Sequence, residues 1–219
     1  MRHAEVAYFD ADGRPVRPAD VNLTRAGHEQ ARAAAALFDG VRLDRVVTSG
    51  LARTLETARL VAPESEPESW SDLREIESGR LSEIPADELE EAFLGAFRGR
   101  LREERRFLGG ETIGSLLDRV VPELDALIAD TAWDVALLVL HGAVNRVVLS
   151  YALTGERCFL GGFEQAPGCI NVLDVDGGGA FVVRAVNHTP YDAAHVNAPR
   201  LTTMEQLWQE YLDARGRKP

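Results

Sequence analysis

The stretch VALLVLHGAVNRVVLSYALTG, residues 135–155, decides the fold class of this chain. Residues 135–140 form a continuous apolar run of strand length, which is the pattern of a strand covered on both faces. Residues 143–155 predict the helix that follows this strand. A buried strand that leads directly into a helix is typical of a parallel α/β sheet.

The same order of strand and helix occurs upstream. Residues 44–49, DRVVTS, predict a short strand, and residues 51–62, LARTLETARLVA, predict a helix that ends near Pro63. Before them, an alanine-rich segment predicts a helix with Thr24 as its N-cap and Gly40 as its stop. The alternation supports the same parallel architecture.

Three further elements follow from periodicity and turn chemistry. From Glu111, apolar residues keep helical spacing over about five turns, and Pro122 should bend or interrupt that helix. The segments CINVLDVD and AFVVRAVN flank the glycines at 177–179, which indicates a β-hairpin at one edge of the sheet. Residues 202–217 predict an amphipathic closing helix. Its apolar stripe could serve packing or a homodimer contact, and packing is the preferred interpretation; the stripe consists of Met204, Leu207 and Tyr211.

We therefore expect a single domain over residues 1–219, a three-layer α/β/α fold with a mostly parallel central sheet, an antiparallel edge hairpin and a small helical cap. The cap is assigned to residues 78–110, which are rich in charge and too long for a simple connection. Residues 98–107 hold five arginines and two glutamates. We interpret them as a solvated helix face with ion pairs, the alternative being that Arg105 or Arg106 reaches an anionic substrate.

Composition limits the partners and the compartment. The net charge of -11 argues against a nucleic acid or an anionic membrane as partner, because both require a basic surface. Cys158 and Cys169 are too few for a disulfide framework, so we expect reduced thiols in a cytoplasmic protein. The chain has no apolar run of about 18 residues and no signal-peptide pattern at its start. An anionic substrate would need a local cluster of positive residues.

Residues at the ends of the two predicted strands are candidates for such a cluster. His141 follows the most buried strand, and sites in open α/β sheets form at the carboxyl ends of strands. Gly142 and Ala143 are small and open a helix, so their N–H groups could bind an anion. Arg53 lies in the first turn of a helix, where the helix dipole does not favour a cation; it is either a phosphate clamp or a solvated surface residue. His3, in the run RHAE, is the other notable histidine, although a lone histidine is more often structural.

Six blocks of sequence together carry a specific resemblance. They are RHAE at 2–5, LTRAGHEQA at 23–31, TSGLARTLETA at 48–58, LREIESG at 73–79, GGET at 109–112 and LHGAVNR at 140–146. In this order and at these separations, the blocks resemble the histidine phosphatase superfamily, the phosphoglycerate-mutase-like fold. The resemblance extends over nearly the whole chain.

The resemblance implies a site and a reaction. His3 would be the nucleophile that becomes phosphohistidine, Glu75 would be the proton donor, and Arg2, Arg53 and His141 would line the phosphate pocket. Guanidinium and imidazolium groups can stabilise the charge that spreads over a phosphoryl group in transit, so neither a metal nor a cofactor is required. A carboxyl group donates a proton near neutral pH only if burial or nearby negative charge favours its protonated form.

Two further residues are candidates for a role in the site. Glu77 is the competing proton donor, and Glu75 is preferred because of its position in the motif. His188 lies where the family often has a loop near the site, so it is a possible substrate contact, whereas His28 and His195 are interpreted as surface or loop residues.

The implied activity is metal-independent hydrolysis of a small phosphomonoester by an acid-phosphatase-type enzyme. The segment VAYFDADGRPVRPADVN lacks the Trp-Asn pair and the Gly-Trp-Asp element that mutases with this fold carry, which favours a phosphatase over a cofactor-dependent phosphomutase. A catalytically silent module that binds phosphorylated ligands is the alternative from another class.

One departure from the family concerns the N-terminus. The family has a full strand before its RH motif, whereas only Met1 precedes Arg2. We therefore expect His3 to be poorly anchored and a sheet edge to be unpaired. Either the natural chain begins several residues earlier, or this protein positions its nucleophile differently. The first alternative is the working hypothesis, which mass analysis of the native protein would test.

Overall fold

The computed structural model describes residues 1–10, 16–17, 21–197 and 201–216. The helices are α1 (Arg25–Ala35), α2 (Ala52–Val61), α3 (Leu89–Leu94), α4 (Ile113–Ala129), α5 (Gly142–Thr154) and α6 (Thr203–Gly216). The strands are β1 (Arg45–Thr48), β2 (Glu68–Ser69), β3 (Arg100–Leu101), β4 (Ala136–Val139), β5 (Phe159–Leu160), β6 (Ile170–Val175) and β7 (Phe181–His188). Among the described residues, no helix combines the length and the apolar character needed to cross a bilayer.

The central sheet is parallel, as predicted, with the strand order β2-β1-β4. Thr48 at the end of β1 lies opposite Val139 at the end of β4, so the two strands finish at the same edge. Neighbouring residues of β1 face opposite sides: Val47 packs with α4 and α5, whereas Val46 packs with α1 and α2. The sheet therefore lies between two helical layers, which confirms the α/β/α prediction.

The first four residues pair with the chain on both sides. Toward β4, hydrogen bonds join Met1 N to Leu138 O at 2.6 Å, Leu140 N to Met1 O at 2.9 Å and His3 N to Leu140 O at 2.8 Å. On the other side, Arg2 N donates to Cys169 O and Gly168 N donates to His3 O, both at 3.0 Å. The expectations that His3 is poorly anchored and that a sheet edge is unpaired are therefore wrong, because this short segment pairs with the end of β4 on one side and with residues 168 and 169 on the other.

The hairpin and the helix from residue 113 are also present, with two differences from the predictions. β6 and β7 form an antiparallel ladder of their own, which reaches the central sheet through the contacts of residues 168 and 169 with the N-terminal segment. α4 is not interrupted at Pro122. Pro122 and Asp118, whose carbonyl loses its helical donor, both lie on the exposed face, where water can supply the missing hydrogen bond.

Segment 78–110 contains α3 and β3, and β3 pairs with β5 in antiparallel orientation. The expected helix over residues 98–107 does not form, since Gly99 adopts a φ of 65° and the chain then enters β3. The ion pairs are nevertheless present, and Arg157 contacts Glu103 at 2.9 Å. The predicted helix is therefore wrong, whereas the predicted ion pairs are confirmed.

The closing helix α6 packs against α3. Phe93 of α3 lies 5.3 Å from the ring centroid of Trp208 and 5.6 Å from that of Tyr211. Met204 is buried in the same cluster, and Leu207 packs against it. The apolar stripe of α6 is thus used in packing, which was the preferred of its two interpretations.

Candidate active site

The predicted site residues meet at the carboxyl edge of the sheet. His141 follows β4, Ser49 follows β1, and His3 follows the N-terminal residues that pair with β4. The rings of His3 and His141 lie edge to face, with their centroids 5.2 Å apart. Both rings are buried, and so is Arg53, at 1% exposure. The structure therefore brings together residues that are about 50 and about 90 positions apart in the sequence, as a parallel sheet does at its carboxyl edge.

Hydrogen bonding defines the protonation of the His3 ring. His3 Nδ1 lies 2.8 Å from Ala4 O, and a carbonyl oxygen can only accept, so Nδ1 carries the proton. Burial, together with the charges of Arg2 and Arg53, holds the pKa of His3 well below 6.5. The ring is therefore neutral near pH 7, and its Nε2 atom carries a lone pair.

The orientation of His141 is set in a different way. Arg53 Nη2 lies 3.3 Å from His141 Nδ1, and a guanidinium group can only donate, so Nδ1 is the acceptor. The proton is then on Nε2, which donates to Ser49 Oγ at 2.7 Å. Ser49 Oγ is 3.1 Å from Thr54 Oγ1, which donates to Leu51 O at 2.8 Å. Because this chain of hydrogen bonds ends on a carbonyl oxygen, which can only accept, each group must donate toward it. Ser49 therefore donates to Thr54, and His141 Nε2 donates to Ser49.

The same low-dielectric environment affects the pKa of His141. Burial lowers it well below 6.5, and the positive charges of Arg53 and Arg2 act in the same direction. Both imidazoles are thus neutral in the folded protein and take up a proton near pH 6.5 in the unfolded chain.

This difference predicts that the free energy of unfolding decreases as the pH falls below 6.5. Below that pH the unfolded state binds protons that the folded state does not, at a cost of about 1.4 kcal/mol per pH unit for each imidazole. Urea denaturation between about pH 5 and pH 7.5, above the range in which exposed carboxylates titrate, measures the slope. The amino group of Met1, whose pKa burial lowers to about 6, adds a slope of the same sign above pH 6. A double variant, His3→Gln with His141→Gln, is therefore expected to flatten the slope below pH 6; an unchanged slope there would contradict the assignment.

Arg2 and Arg53 bring positive charge to the pocket beside His3, and the buried Arg146 lies at its border, where its Nη1 atom donates to Gly142 O at 3.0 Å. Arg2 Nη1 donates to Gln165 O at 2.5 Å and to Thr203 Oγ1 at 3.0 Å. Within the described part of the chain, the buried Nε atom of Arg2 has no hydrogen-bond partner. Arg53 reaches His141, as described above. Since a buried donor without an acceptor is costly, Arg2 Nε is suited to receive an anionic oxygen.

Glu75 lies at the N-terminus of α5. Its carboxylate accepts from Ala143 N at 3.1 Å and from Ile76 N at 3.1 Å. A Cβ atom placed on Gly142 would lie 3.6 Å from Glu75 Oε2 and 3.9 Å from Arg2 Nε, so the carboxylate and the guanidinium border the same small space. In this state the N–H group of Ala143, which was predicted to bind phosphate, binds Glu75.

The loop that carries Glu75 is held by Arg119. This side chain donates to Asp72 O and to Arg74 O, both at 2.6 Å, and forms an ion pair with Glu111 at 2.8 Å. Glu77 is exposed, and its backbone N–H donates to Glu111. Of the two candidate acids, the structure therefore places Glu75 beside the buried cluster.

The region outside the buried cluster is more open. A cleft of about 700 Å³ is lined by Glu75, Arg74 and Arg106, among others. His188 lies opposite Ile170 at the end of β7, and no hydrogen bond among the described residues joins its ring to His3 or His141. His28 contacts Glu56 at 2.8 Å on the surface, as expected. Arg106 thus borders the cleft, whereas a substrate contact by His188 stays a prediction.

Sequence reasoning missed several residues of this site. Ser49 was assigned no role, although it follows a strand in the same way as His141. Gln165 and Thr203 hold Arg2 but carry no local signal, because they are 163 and 201 positions away from it.

Comparison with known proteins gives consistent matches. The model of the histidine phosphatase superfamily (branch 1) matches residues 1–189. A Salmonella paratyphi A protein named probable phosphoglycerate mutase GpmB is 27% identical over 211 residues, which cover 94% of this chain and 97% of that protein. The alpha-ribazole phosphatase from Shigella flexneri shares the fold with a TM-score of 0.67 at 23% identity, over 85% of this chain and 94% of the other. A Thermus thermophilus protein, TTHB049, is 28% identical with a TM-score of 0.54, over 85% and 96% of the two chains.

Proposed function

Because the chain belongs to the histidine phosphatase superfamily, we propose that it hydrolyses phosphomonoesters and that His3 carries the phosphoryl group during turnover. The observation that best supports this proposal is the state of the His3 ring. Its Nδ1 proton is donated to Ala4 O, and the ring is neutral. Its Nε2 lone pair lies in a pocket with two buried arginines. A neutral, oriented imidazole is the form that attacks phosphorus.

In the first step, His3 Nε2 bonds to phosphorus as the bond between phosphorus and the ester oxygen breaks. The leaving oxygen takes its electron pair and a proton from Glu75, which must be protonated at this point. In the structure the Glu75 carboxylate borders the same space as Arg2 Nε. A phosphate dianion that enters this space brings negative charge next to the carboxylate and so favours uptake of a proton.

In the second step, water attacks the phosphorus of phosphohistidine. Its proton passes to the Glu75 carboxylate, the bond between nitrogen and phosphorus breaks, and His3 Nε2 recovers its lone pair. Orthophosphate leaves, and Glu75 is protonated again for the next cycle. One carboxyl group thus serves as acid and then as base.

The remaining groups stabilise the transferring phosphoryl group. We assign Arg2 and Arg53 to its oxygens, because these side chains are buried around His3 and hydrogen bonds fix their orientation. His141 is assigned there as well, with its Nε2 proton turning from Ser49 to a phosphoryl oxygen when the substrate binds. Fixed donors aimed at equatorial oxygens lower the barrier more than they stabilise the bound substrate. The N–H groups of Gly142 and Ala143 at the start of α5 are additional donors once Glu75 has moved toward the leaving oxygen.

Substrate selection is assigned to the open cleft and to segment 78–110, which we propose acts as a cap. Arg106 and Arg74 border the cleft together with Glu75. The lining of the cleft holds four carboxylates as well as three arginines, and this mixed charge suits a leaving group that is small and polar.

A phosphomutase is the second candidate, and the similarity to a protein named probable phosphoglycerate mutase GpmB favours it. A mutase would return the phosphoryl group to a second hydroxyl instead of to water. It would therefore require priming by a bisphosphorylated compound, whereas a phosphatase would not.

The experiment is a phosphate-release assay on p-nitrophenyl phosphate and a panel of alkyl phosphates with EDTA present. Among the described residues, no group of three His, Cys, Asp or Glu side chains is placed to hold a metal ion, and we expect turnover to persist in EDTA. Release without a primer supports the phosphatase. Release only after priming would identify a mutase, and binding of inorganic phosphate without turnover of any ester would identify a binding module.

A further inference from the structure

Helix α6 contacts the predicted phosphate pocket through its first residue. Arg2 Nη1 donates to Thr203 Oγ1 at 3.0 Å, and Thr203 Oγ1 donates to Glu164 Oε1 at 2.8 Å. A hydroxyl group can accept and donate at once, so Thr203 links the guanidinium group to a carboxylate. The negative charge of Glu164 strengthens the acceptor that Arg2 meets.

The contact fixes one side of the Arg2 guanidinium group. Nη1 has two acceptors, Gln165 O and Thr203 Oγ1, and both come from the chain beyond residue 163. Gln165 is itself fully buried, and its side-chain oxygen accepts from Asn145 and Asn171. With Nη1 held in this way, Nε lies beside the space that Gly142 and Glu75 border, 3.9 Å from the position that a Cβ atom on Gly142 would take.

α6 is itself firmly held. Met204, the residue after Thr203, is buried, and Trp208 and Tyr211 stack on Phe93 of α3. The helix lies beyond residues 1–189, which are the part of the chain that the family model matches. The hydroxyl group that accepts a hydrogen bond from Arg2 is therefore supplied by an element outside the matched region.

We propose that α6 forms part of the phosphate site and that Thr203 is a positioning residue, which orients Arg2 for a phosphoryl oxygen. This inference rests on the proposed function, because it takes Arg2 as a phosphate ligand. Loss of the hydroxyl group leaves Nη1 with one acceptor and lets the guanidinium group rotate away from its phosphate-binding orientation.

The test compares three variants. Thr203→Val keeps the shape of the side chain and removes the hydroxyl group, whereas Thr203→Ser keeps the hydroxyl group. Thr202→Val is the matched control, because Thr202 caps α6 through reciprocal hydrogen bonds with Glu205 and does not contact Arg2. Each variant is measured for kcat/KM on p-nitrophenyl phosphate, for the Kd of inorganic phosphate and for Tm.

We expect Thr203→Val to lower kcat/KM and to weaken phosphate binding about 10-fold or more, since a hydrogen bond to a charged group is lost. Thr203→Ser should restore both values to within about threefold of wild type, and Thr202→Val should lower Tm without weakening phosphate binding. Wild-type behaviour of Thr203→Val, or an equal loss of phosphate affinity in Thr202→Val, would overturn the proposal. If the wild type hydrolyses no ester, the proposed function fails, and the phosphate Kd values alone decide whether Thr203 positions Arg2. If the wild type binds no phosphate either, the proposed function and the proposed role of Thr203 both fail.

Discussion

Replacement of His3 by Gln is expected to abolish phosphate release, with a fall in kcat of about 10⁴-fold or more. No other imidazole in the described part of the pocket has a free lone pair: His141 Nδ1 faces Arg53, and its Nε2 carries the proton that Ser49 accepts. The arginines cannot replace a nucleophile, because a guanidinium group has only donors. Substrate binding should survive, since Arg2 and Arg53 remain.

The decisive measurement is the covalent intermediate itself. A rapid acid-free quench during turnover, followed by phosphorus NMR in alkali, should show phosphohistidine in the wild type and none in His3→Gln. His28→Gln is the matched control, because His28 lies on the surface in contact with Glu56. Turnover by His3→Gln near the wild-type rate, or a phosphorylated residue other than His3, would contradict the proposed nucleophile.

Much of the fold follows from local pattern. The apolar run at 135–140 and the strand at 44–49 mark two parallel strands because a strand buried on both faces has no polar alternation. Their carboxyl ends then place His141 and Arg53 at one edge, a rule of topology that needs no knowledge of contacts. These two residues were therefore accessible from pattern, whereas the roles of His3, Arg2 and Glu75 came from the resemblance to the family.

What the sequence does not reveal depends on distant partners. The anchoring of His3 comes from backbone hydrogen bonds on both sides, and backbone pairing leaves no mark in side-chain identity. The contact of Thr203 with Arg2 spans almost the whole chain. The arginine-rich segment was misassigned as a helix because β3 owes its conformation to pairing with β5, which overrides local helix propensity.

The charge of the site contrasts with that of the whole molecule. The chain carries a net charge of -11, yet the space around His3 is bordered by two buried arginines. Charges that lie within a few ångströms in a medium of low dielectric outweigh a diffuse surface charge that salt screens. Phosphate affinity should therefore depend on Arg2 and Arg53 far more than on the overall charge.

Glu75→Gln is expected to lower kcat on alkyl phosphates by about 10²- to 10⁴-fold, since an alkoxide leaves slowly without a proton. On p-nitrophenyl phosphate the first step should remain fast, because nitrophenolate needs little protonation to leave. The second step should still be slow, since no carboxylate accepts the proton of the attacking water. The variant should then release a burst of nitrophenol equal to the enzyme concentration and accumulate phosphohistidine.

Glu77→Gln is the control that separates the two candidate acids. Glu77 is exposed, and its backbone N–H group, rather than its carboxylate, makes the contact with Glu111. Glu77→Gln should hydrolyse alkyl phosphates at the wild-type rate. It should also show no burst of nitrophenol on p-nitrophenyl phosphate. A large loss in Glu77→Gln together with normal turnover by Glu75→Gln would reverse the assignment.

The burst distinguishes proton transfer from a structural effect of the substitution. In Glu75→Gln the new side chain keeps an oxygen in the position where Glu75 accepts from Ala143 N and Ile76 N, so the loop and the start of α5 keep their hydrogen bonds. A disordered pocket would slow both steps on both kinds of ester and give no burst. A fast first step that depends on the leaving group, followed by a slow hydrolysis, arises only if Glu75 moves a proton in each half of the cycle.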